Sequence, residues 1–223
     1  MSSPGGAGTE SRTAMTARVT PVVFVVDDDV SVRESVELLI RSAGWHPETF
    51  ASAEDFLARS RIDGPSCLVL DVTLPNLNGL DLQKRITDRP DMPIIFITGY
   101  GDVPTTVRAM KAGAAEFLTK PLADEVLRQA ITQAIDRSRA HLAQVVELRE
   151  IRHRHESLTP RQREIMELVV SGLLNKQIGA ELGISEITVK AHRGQVMRKM
   201  RVDSLADLVR VATALDVPLV AHD

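Results

Sequence analysis

Residues 67–79 read CLVLDVTLPNLNG, and the fold follows from how that stretch breaks. Cys67, Leu68, Val69 and Leu70 suit a buried strand, Asp71 ends the run, and Leu74, Pro75, Asn76, Asn78 and Gly79 form a loop that cannot continue it. Asp71 is therefore expected at a strand's C-terminal tip. A lone aspartate there is ordinarily a helix cap or a turn residue. Its meaning depends on what the neighbouring strands end in.

Working outward, residues 22–29 read VVFVVDDD, a continuous apolar run closed by three aspartates. Such a run suits a central parallel strand buried on both faces. Ser31 then opens a helix with Val32, Val36, Leu39 and Ile40 on one face, stopped at Gly44. The alternation recurs downstream. An edge strand near 45–50, a helix near 53–60, the Cys67 strand, a helix near 80–87, a strand over 94–98, a helix over 104–112 and a strand over 116–119 follow in order. Five strands alternating with helices predict an α/β domain, an open parallel sheet covered on both faces. In the flavodoxin-like doubly wound order, strands one and three flank the crevice at the carboxyl ends where ligands gather. Asp27, Asp28 and Asp71 would meet there, with Thr98 ending the fourth strand and Lys120 following the fifth. Clustered carboxylates repel one another, and a divalent cation that prefers oxygen ligands, Mg²⁺ or Mn²⁺, relieves the repulsion. The alternative is a set of solvated cap and turn residues.

Composition sets outer limits. The chain has 223 residues, 43% of them hydrophobic, and a formal net charge of −3, enough apolar material for one large or two ordinary domains. No run of 18 apolar residues occurs and Met1 to Thr20 lacks a hydrophobic signal core, so a cytoplasmic protein with no membrane partner is expected. Residues 1–20, rich in Ser, Gly, Ala and Thr, are expected to be a disordered tail, with Met15 an alternative start. Cys67, the single cysteine, reads as a small core residue. DDDVSVRES after the first strand has neither GxGxxG nor GKS, which excludes the common nucleotide-binding loops.

After Pro121 a helix is expected through Val126, Leu127, Ala130, Ile131, Ala134 and Ile135. It continues as a charged helical linker over residues 136–157, in which Leu142, Val145, Leu148 and Ile151 recur every third residue, a spacing that drifts round a helix and does not require a coiled coil. His153 and His155 read as exposed polar residues. A small all-α domain of four helices begins at residue 158. Thr159 and Pro160 open its first helix, which buries Ile165, Met166, Leu168, Val169 and Val170. A short helix from Asn175, a glycine turn at Gly183, a cap at Ser185 and a helix EITVKAHRGQVMRKM follow, the helix-turn-helix layout. Residues 185–201 carry five Lys and Arg against one carboxylate, a local net of +4 in an acidic chain. That charge suits a nucleic-acid contact. A fourth helix from Ser204 is expected to pack through Leu205, Leu208, Val209 and Ala212.

VVDDD, LVLD, FITGYGD and FLTKP, in this order and spacing, resemble a bacterial two-component receiver domain, a resemblance that covers about residues 21–139 and supports domain bounds of 21–135. It implies that Asp71 accepts a phosphoryl group from a sensor histidine kinase. It also implies that Asp27, Asp28, Asp71 and the Thr73 backbone carbonyl hold Mg²⁺, that Lys120 and Thr98 contact the phosphoryl oxygens, that Phe117 switches rotamer, and that Lys120-Pro121 is cis. Residues 158–200 resemble a LuxR-type DNA-binding domain, placed at 158–223, and the whole order resembles a FixJ-type response regulator of the NarL/FixJ family. By that resemblance Lys190, Ala191 and Gly194 face base edges of promoter DNA, and Thr188, His192, Arg193, Arg198 and Lys199 contact its backbone. A homodimer on phosphorylation and an RNA polymerase partner are implied as well. Gly194 stands where a longer side chain is common, and Gly179 where alanine is common, which would weaken the short helix by about 1 kcal/mol. Two other readings remain: an aspartyl-phosphate enzyme, which would want a second aspartate where Thr73 stands, and a DNA-binding protein whose receiver works without phosphate.

Overall fold

The computed structural model describes residues 19–99 and 103–218, in two compact units, Met1–Leu142 and Ala143–Asp223, each taken here by itself. The tail expected over residues 1–20 lies outside the described residues except for Val19 and Thr20, as do Tyr100, Gly101 and Asp102.

The first unit alternates β1 (Val22–Val26), α1 (Val30–Ser42), β2 (His46–Phe50), α2 (Ala53–Ala58), β3 (Ser66–Asp71), α3 (Gly79–Arg85), β4 (Ile94–Thr98), α4 (Val103–Lys111) and β5 (Glu116–Thr119). Its five strands are all parallel in the order β2-β1-β3-β4-β5, the flavodoxin-like order expected. Successive strand residues point to opposite faces. Phe24, Leu70 and Phe96 accordingly meet α2, α3 and α4 through Phe56, Leu82 and Ala109. On the other face Val23, Val25, Val69 and Ile97 meet α1 and the helix after Pro121 through Ile40 and Ile131. Cys67 is fully buried in this second layer, and burial pushes its thiol pKa up, so it is an inert packing residue.

Two local expectations are corrected. The cap of α1 is Asp29, whose Oδ1 accepts from the Ser31 amide at 2.8 Å; Ser31 sits inside the first turn. Val126 is exposed, because the apolar stripe of its helix runs one position further round, through Leu127, Ala130, Ile131, Ala134 and Ile135.

That helix, α5 (Asp124–Glu156), is continuous for 33 residues. Residues 136–157, read from the sequence as a linker, are helical within it except for Ser157, and buried side chains lie in both of its halves. Ser138 is buried in the first unit, where its Oγ accepts from the Ser66 amide at 3.0 Å and donates to the Asp91 carbonyl. Ile151 joins the core of the second unit.

The second unit adds α6 (Pro160–Val170), α7 (Asn175–Leu182), α8 (Glu186–Met200) and α9 (Leu205–Ala214). Thr159 and Gln162 form a reciprocal cap, at 3.3 Å and 3.1 Å, that satisfies two amides at the start of α6. Gly183, at φ 66°, ends α7 in the left-handed region, and Ser185 Oγ caps α8 by accepting from the Thr188 amide at 3.2 Å. Ile165, Met166, Ile178, Val189, Val196 and Leu208 close the core. In α9 Leu208 and Ala212 are buried as expected, but Leu205 and Val209 are exposed; Val211 and Leu215 supply the remaining contact instead.

Gly179 also departs from expectation. A Cβ there would stand 2.8 Å from the Ile184 carbonyl oxygen, in the turn closed by the Ile184 amide on the Gly179 carbonyl at 3.0 Å. Alanine does not fit unless backbone moves, so the glycine permits the tight turn and is not a defect of the helix. At Gly194 a Cβ would meet only the Arg198 guanidinium, at 3.9 Å. Thermal unfolding of two variants separates the cases. Gly194→Ala is expected to raise stability by up to about 1 kcal/mol through helix propensity, whereas Gly179→Ala is expected to lower it by about 1–3 kcal/mol through overpacking.

Candidate functional site

The register of the sheet assembles the first site. Val26 lies beside Leu70 across β1 and β3, so the next residues, Asp27 and Asp71, emerge side by side at the carboxyl edge. Thr98 pairs with Thr119 across β4 and β5, which brings Lys120 to the same edge. Carboxylate oxygens of Asp27, Asp28 and Asp71 lie within 4.8 Å of one another. Lys120 Nζ donates to Asp71 Oδ2 at 2.6 Å and to Asp27 Oδ2 at 2.7 Å. Asp27 and Asp71 are buried while Asp28 is exposed, so the pocket is open on the Asp28 side.

Backbone amides hold the buried carboxylates from behind. Asp27 Oδ1 accepts from the Asp29 amide at 2.9 Å, and Asp71 Oδ1 from the Thr73 amide at 2.8 Å. Burial lifts the Asp27 carboxyl above the usual carboxylate range, against the opposing pull of Lys120 and the Asp29 amide. For Lys120 burial is the largest single influence and lowers its pKa, but the bonds to Asp27 and Asp71 together outweigh it and the net direction is up.

Thr98 is fully buried, and its carbonyl accepts from the Lys120 amide at 2.7 Å. Phe117 is half-buried beside Phe96, with 6.2 Å between ring centroids. Thr73 is exposed in the loop after Asp71, and Lys120-Pro121 is cis as expected. Sequence reasoning missed two supports. A Cβ on Gly79 would overlap the Asp71 carbonyl oxygen, so only glycine lets α3 start against the tip of β3, where the Gly79 amide donates to the Val72 carbonyl at 3.0 Å. Arg33 Nη1 donates to the Asp27 carbonyl at 2.7 Å, tying α1 to the tip of β1. Gly79 had a signal, a glycine behind a turn; Arg33 had none.

The second site lies on α8. Val189, Val196 and Met200 face the core, leaving Thr188, Lys190, Ala191 and Arg198 exposed and His192, Arg193 and Gly194 half-buried. Lys190 pairs with Glu186 at 3.0 Å, a surface ion pair of little net worth that can exchange for another anion. Arg193 Nη1 donates to Asn175 Oδ1 at 3.3 Å, and His192 Nδ1 is buried without a hydrogen-bond partner among the described residues. Lys199 Nζ donates to the Ser157 carbonyl at 2.7 Å and to Gln162 Oε1 at 2.9 Å. Gln162 passes the contact on through Nε2 to Gln195 Oε1 at 2.8 Å, and Arg154 Nη1 reaches the Met200 carbonyl at 2.9 Å. Lys199 and Arg154 thus bind the end of α8 to the end of α5 from both sides.

Residues 23–132 match the response regulator receiver domain, and residues 156–212 the bacterial regulatory proteins of the luxR family. The chain is 48% identical over 202 residues to nodulation protein W of Bradyrhizobium diazoefficiens, covering 90% of this chain and 89% of that protein. It is 41% identical to the transcriptional regulatory protein FixJ of Rhizobium meliloti, covering 86% and 95%. Among solved structures the response regulator StyR superposes with a TM-score of 0.75 at 45% identity, covering 87% of this chain and 99% of that one.

The geometry of α8 separates two lysine and arginine roles. Arg198→Ala is expected to weaken binding to all DNA sequences alike and to reduce the slope of log affinity against log salt by about one. Lys199→Ala is expected to leave that slope unchanged and to lower stability by about 0.5–1.5 kcal/mol, because it removes the hydrogen bonds to the Ser157 carbonyl and Gln162 Oε1. Salt-dependent DNA titrations and thermal unfolding of both variants check the pair.

Proposed function

The chain belongs to the response regulators of the NarL/FixJ type, a receiver domain joined to a LuxR-type DNA-binding domain in a transcriptional regulator, and from that premise we propose that phosphorylation of Asp71 controls it. The observation that carries the proposal is the Lys120 ammonium within 2.7 Å of both Asp27 and Asp71. It sets a cation against the Asp71 carboxylate in a pocket that opens on the Asp28 side. A sensor histidine kinase is the donor: the phosphorus–nitrogen bond of its phosphohistidine breaks as a phosphorus–oxygen bond forms to an Asp71 oxygen. Lys120 then pairs with the added oxygens, and the Thr98 side chain hydrogen-bonds one of them.

Three carboxylates against one ammonium leave a net of two negative charges, which suits a divalent cation with hard oxygen ligands. Asp27, Asp28, Asp71 and the Thr73 carbonyl would hold Mg²⁺ or Mn²⁺. The ion supplies charge neutralisation for the transferred phosphoryl group. No second carboxylate stands two residues beyond Asp71, where Thr73 is, so the protein is a substrate of phosphorylation and not an enzyme for external phosphoesters.

The output is dimerisation. Thr98, drawn toward the phosphoryl group, frees space beside Phe117, and the change reaches the surface of α4. Val103, Val107 and Met110 are exposed there, an apolar face for a second copy of the chain. Two α8 helices then meet half-sites about one DNA turn, or a multiple of it, apart. RNA polymerase at the bound promoter is the next partner, and the setting is the cytoplasm; among the described residues no helix is long and apolar enough to cross a membrane.

Incubation with acetyl phosphate and Mg²⁺ tests the acceptor. Wild type is expected to gain acid-stable, base-labile label and to sediment as a dimer, while Asp71→Asn gains neither; normal labelling of that variant would remove the proposal. Calorimetric titration with Mg²⁺ across pH tests the metal. Because the Asp27 pKa is raised, this carboxyl takes up a proton before exposed aspartates, near about 3.9, do. Affinity is therefore expected to fall as pH drops through that raised value, and Asp27→Asn to bind weakly with a flatter pH profile.

A further inference from the structure

One face of α8 is exposed at its start and carries a single charged residue. At about 100° per residue, Ile187, Ala191, Gly194 and Arg198 share roughly 60° of arc, with Lys190 on the flank. Val189, Val196 and Met200 lie opposite, in the core. Ile187 is 80% exposed, the most exposed large hydrophobic side chain among the described residues, and has no part in the core cluster or its partly buried rim. A solvated helix face is ordinarily polar. Here an isoleucine, an alanine and a glycine share the arc with a single charged residue, Arg198 near its far end, and Lys190 stands on the flank.

We propose that Ile187 is a specificity-determining residue that reads the 5-methyl group of a thymine in the major groove of the operator. The inference rests on the reading of α8 as the helix that enters the groove. Isoleucine has no donor or acceptor, so it takes no part in the hydrogen-bond code of the base edges. The thymine methyl is the apolar group those edges present, and it distinguishes thymine from the other bases. Ile187 lies in the first turn of α8, the end of a recognition helix that contacts base edges. Lys190 and Arg198 on the same face supply attraction to phosphates without covering the isoleucine. At Gly194 a side chain would meet only Arg198, so nothing on the helix holds the groove floor away.

Uracil differs from thymine by that methyl alone, which makes the test direct. The operator is selected from random duplexes with the phosphorylated full-length protein, and each thymine is then replaced singly by deoxyuridine. Wild type is expected to lose about fourfold in affinity at one thymine of each half-site, the value of one buried methyl. Ile187→Ala is expected to bind thymine and uracil equally at that position, to keep every other base preference, and to unfold at the wild-type temperature. Ile187→Val is expected to retain part of the difference. An unchanged uracil profile in Ile187→Ala, with Arg198→Ala still weakening all sequences, would overturn the inference alone. Undiminished binding by Arg198→Ala would overturn the reading of α8 beneath it.

Discussion

The half-buried ammonium of Lys120, held between the carboxylates of Asp27 and Asp71, is the interaction on which the first unit's chemistry depends. Two carboxylates removed from water repel each other and lose hydration, a cost of several kcal/mol per ion when uncompensated. Lys120 offsets the repulsion, and the amides of Asp29 and Thr73 replace the lost water on the remaining oxygens. With Asp28 alongside, one cation faces three carboxylates, and the balance stays negative. The pocket is therefore stable enough to fold and still short of positive charge. On the proposed reading a divalent cation would complete it and a phosphoryl group would redistribute it, so the same electrostatic deficit would serve both binding and switching.

Glycine serves both units in the same way, by letting backbone meet backbone. Gly79 lets α3 start directly against the Asp71 carbonyl, which holds the loop carrying Thr73 beside the acceptor carboxylate. Gly179 lets the turn between α7 and α8 close onto the Ile184 carbonyl, which sets the angle at which α8 leaves. In neither case is φ positive; the requirement is space. A side chain at either point would displace a functional element by displacing the chain it is attached to.

The end of α8 is held by its own packing, through Val196 and Met200, and by the last turns of α5. Ile151 enters the core, Arg154 takes the Met200 carbonyl, and Lys199 takes the Ser157 carbonyl, so the residues that end α5 and those that end α8 are joined by an apolar contact and by hydrogen bonds.

Much of this was legible in the residues. Apolar runs ending in carboxylates placed Asp27, Asp28 and Asp71 at strand tips, and strict alternation with helices implied a parallel sheet that brings strands one and three together, because a buried strand and its terminating polar group are local patterns. Thr98 and Lys120 followed from the same logic, and the cap–turn–cap of α7 and α8 from Gly183 and Ser185. Periodicity reports which residues share a face but not which face meets the core, so Val126, Leu205 and Val209 were read inward and lie outward. Gly79, Gly179, Arg33 and the hydrogen bonds of Lys199 depend on backbone and carbonyls from other segments. Their roles exist only once the chain has folded, since a close approach or a hydrogen bond between distant segments has no period and leaves no spacing in the sequence.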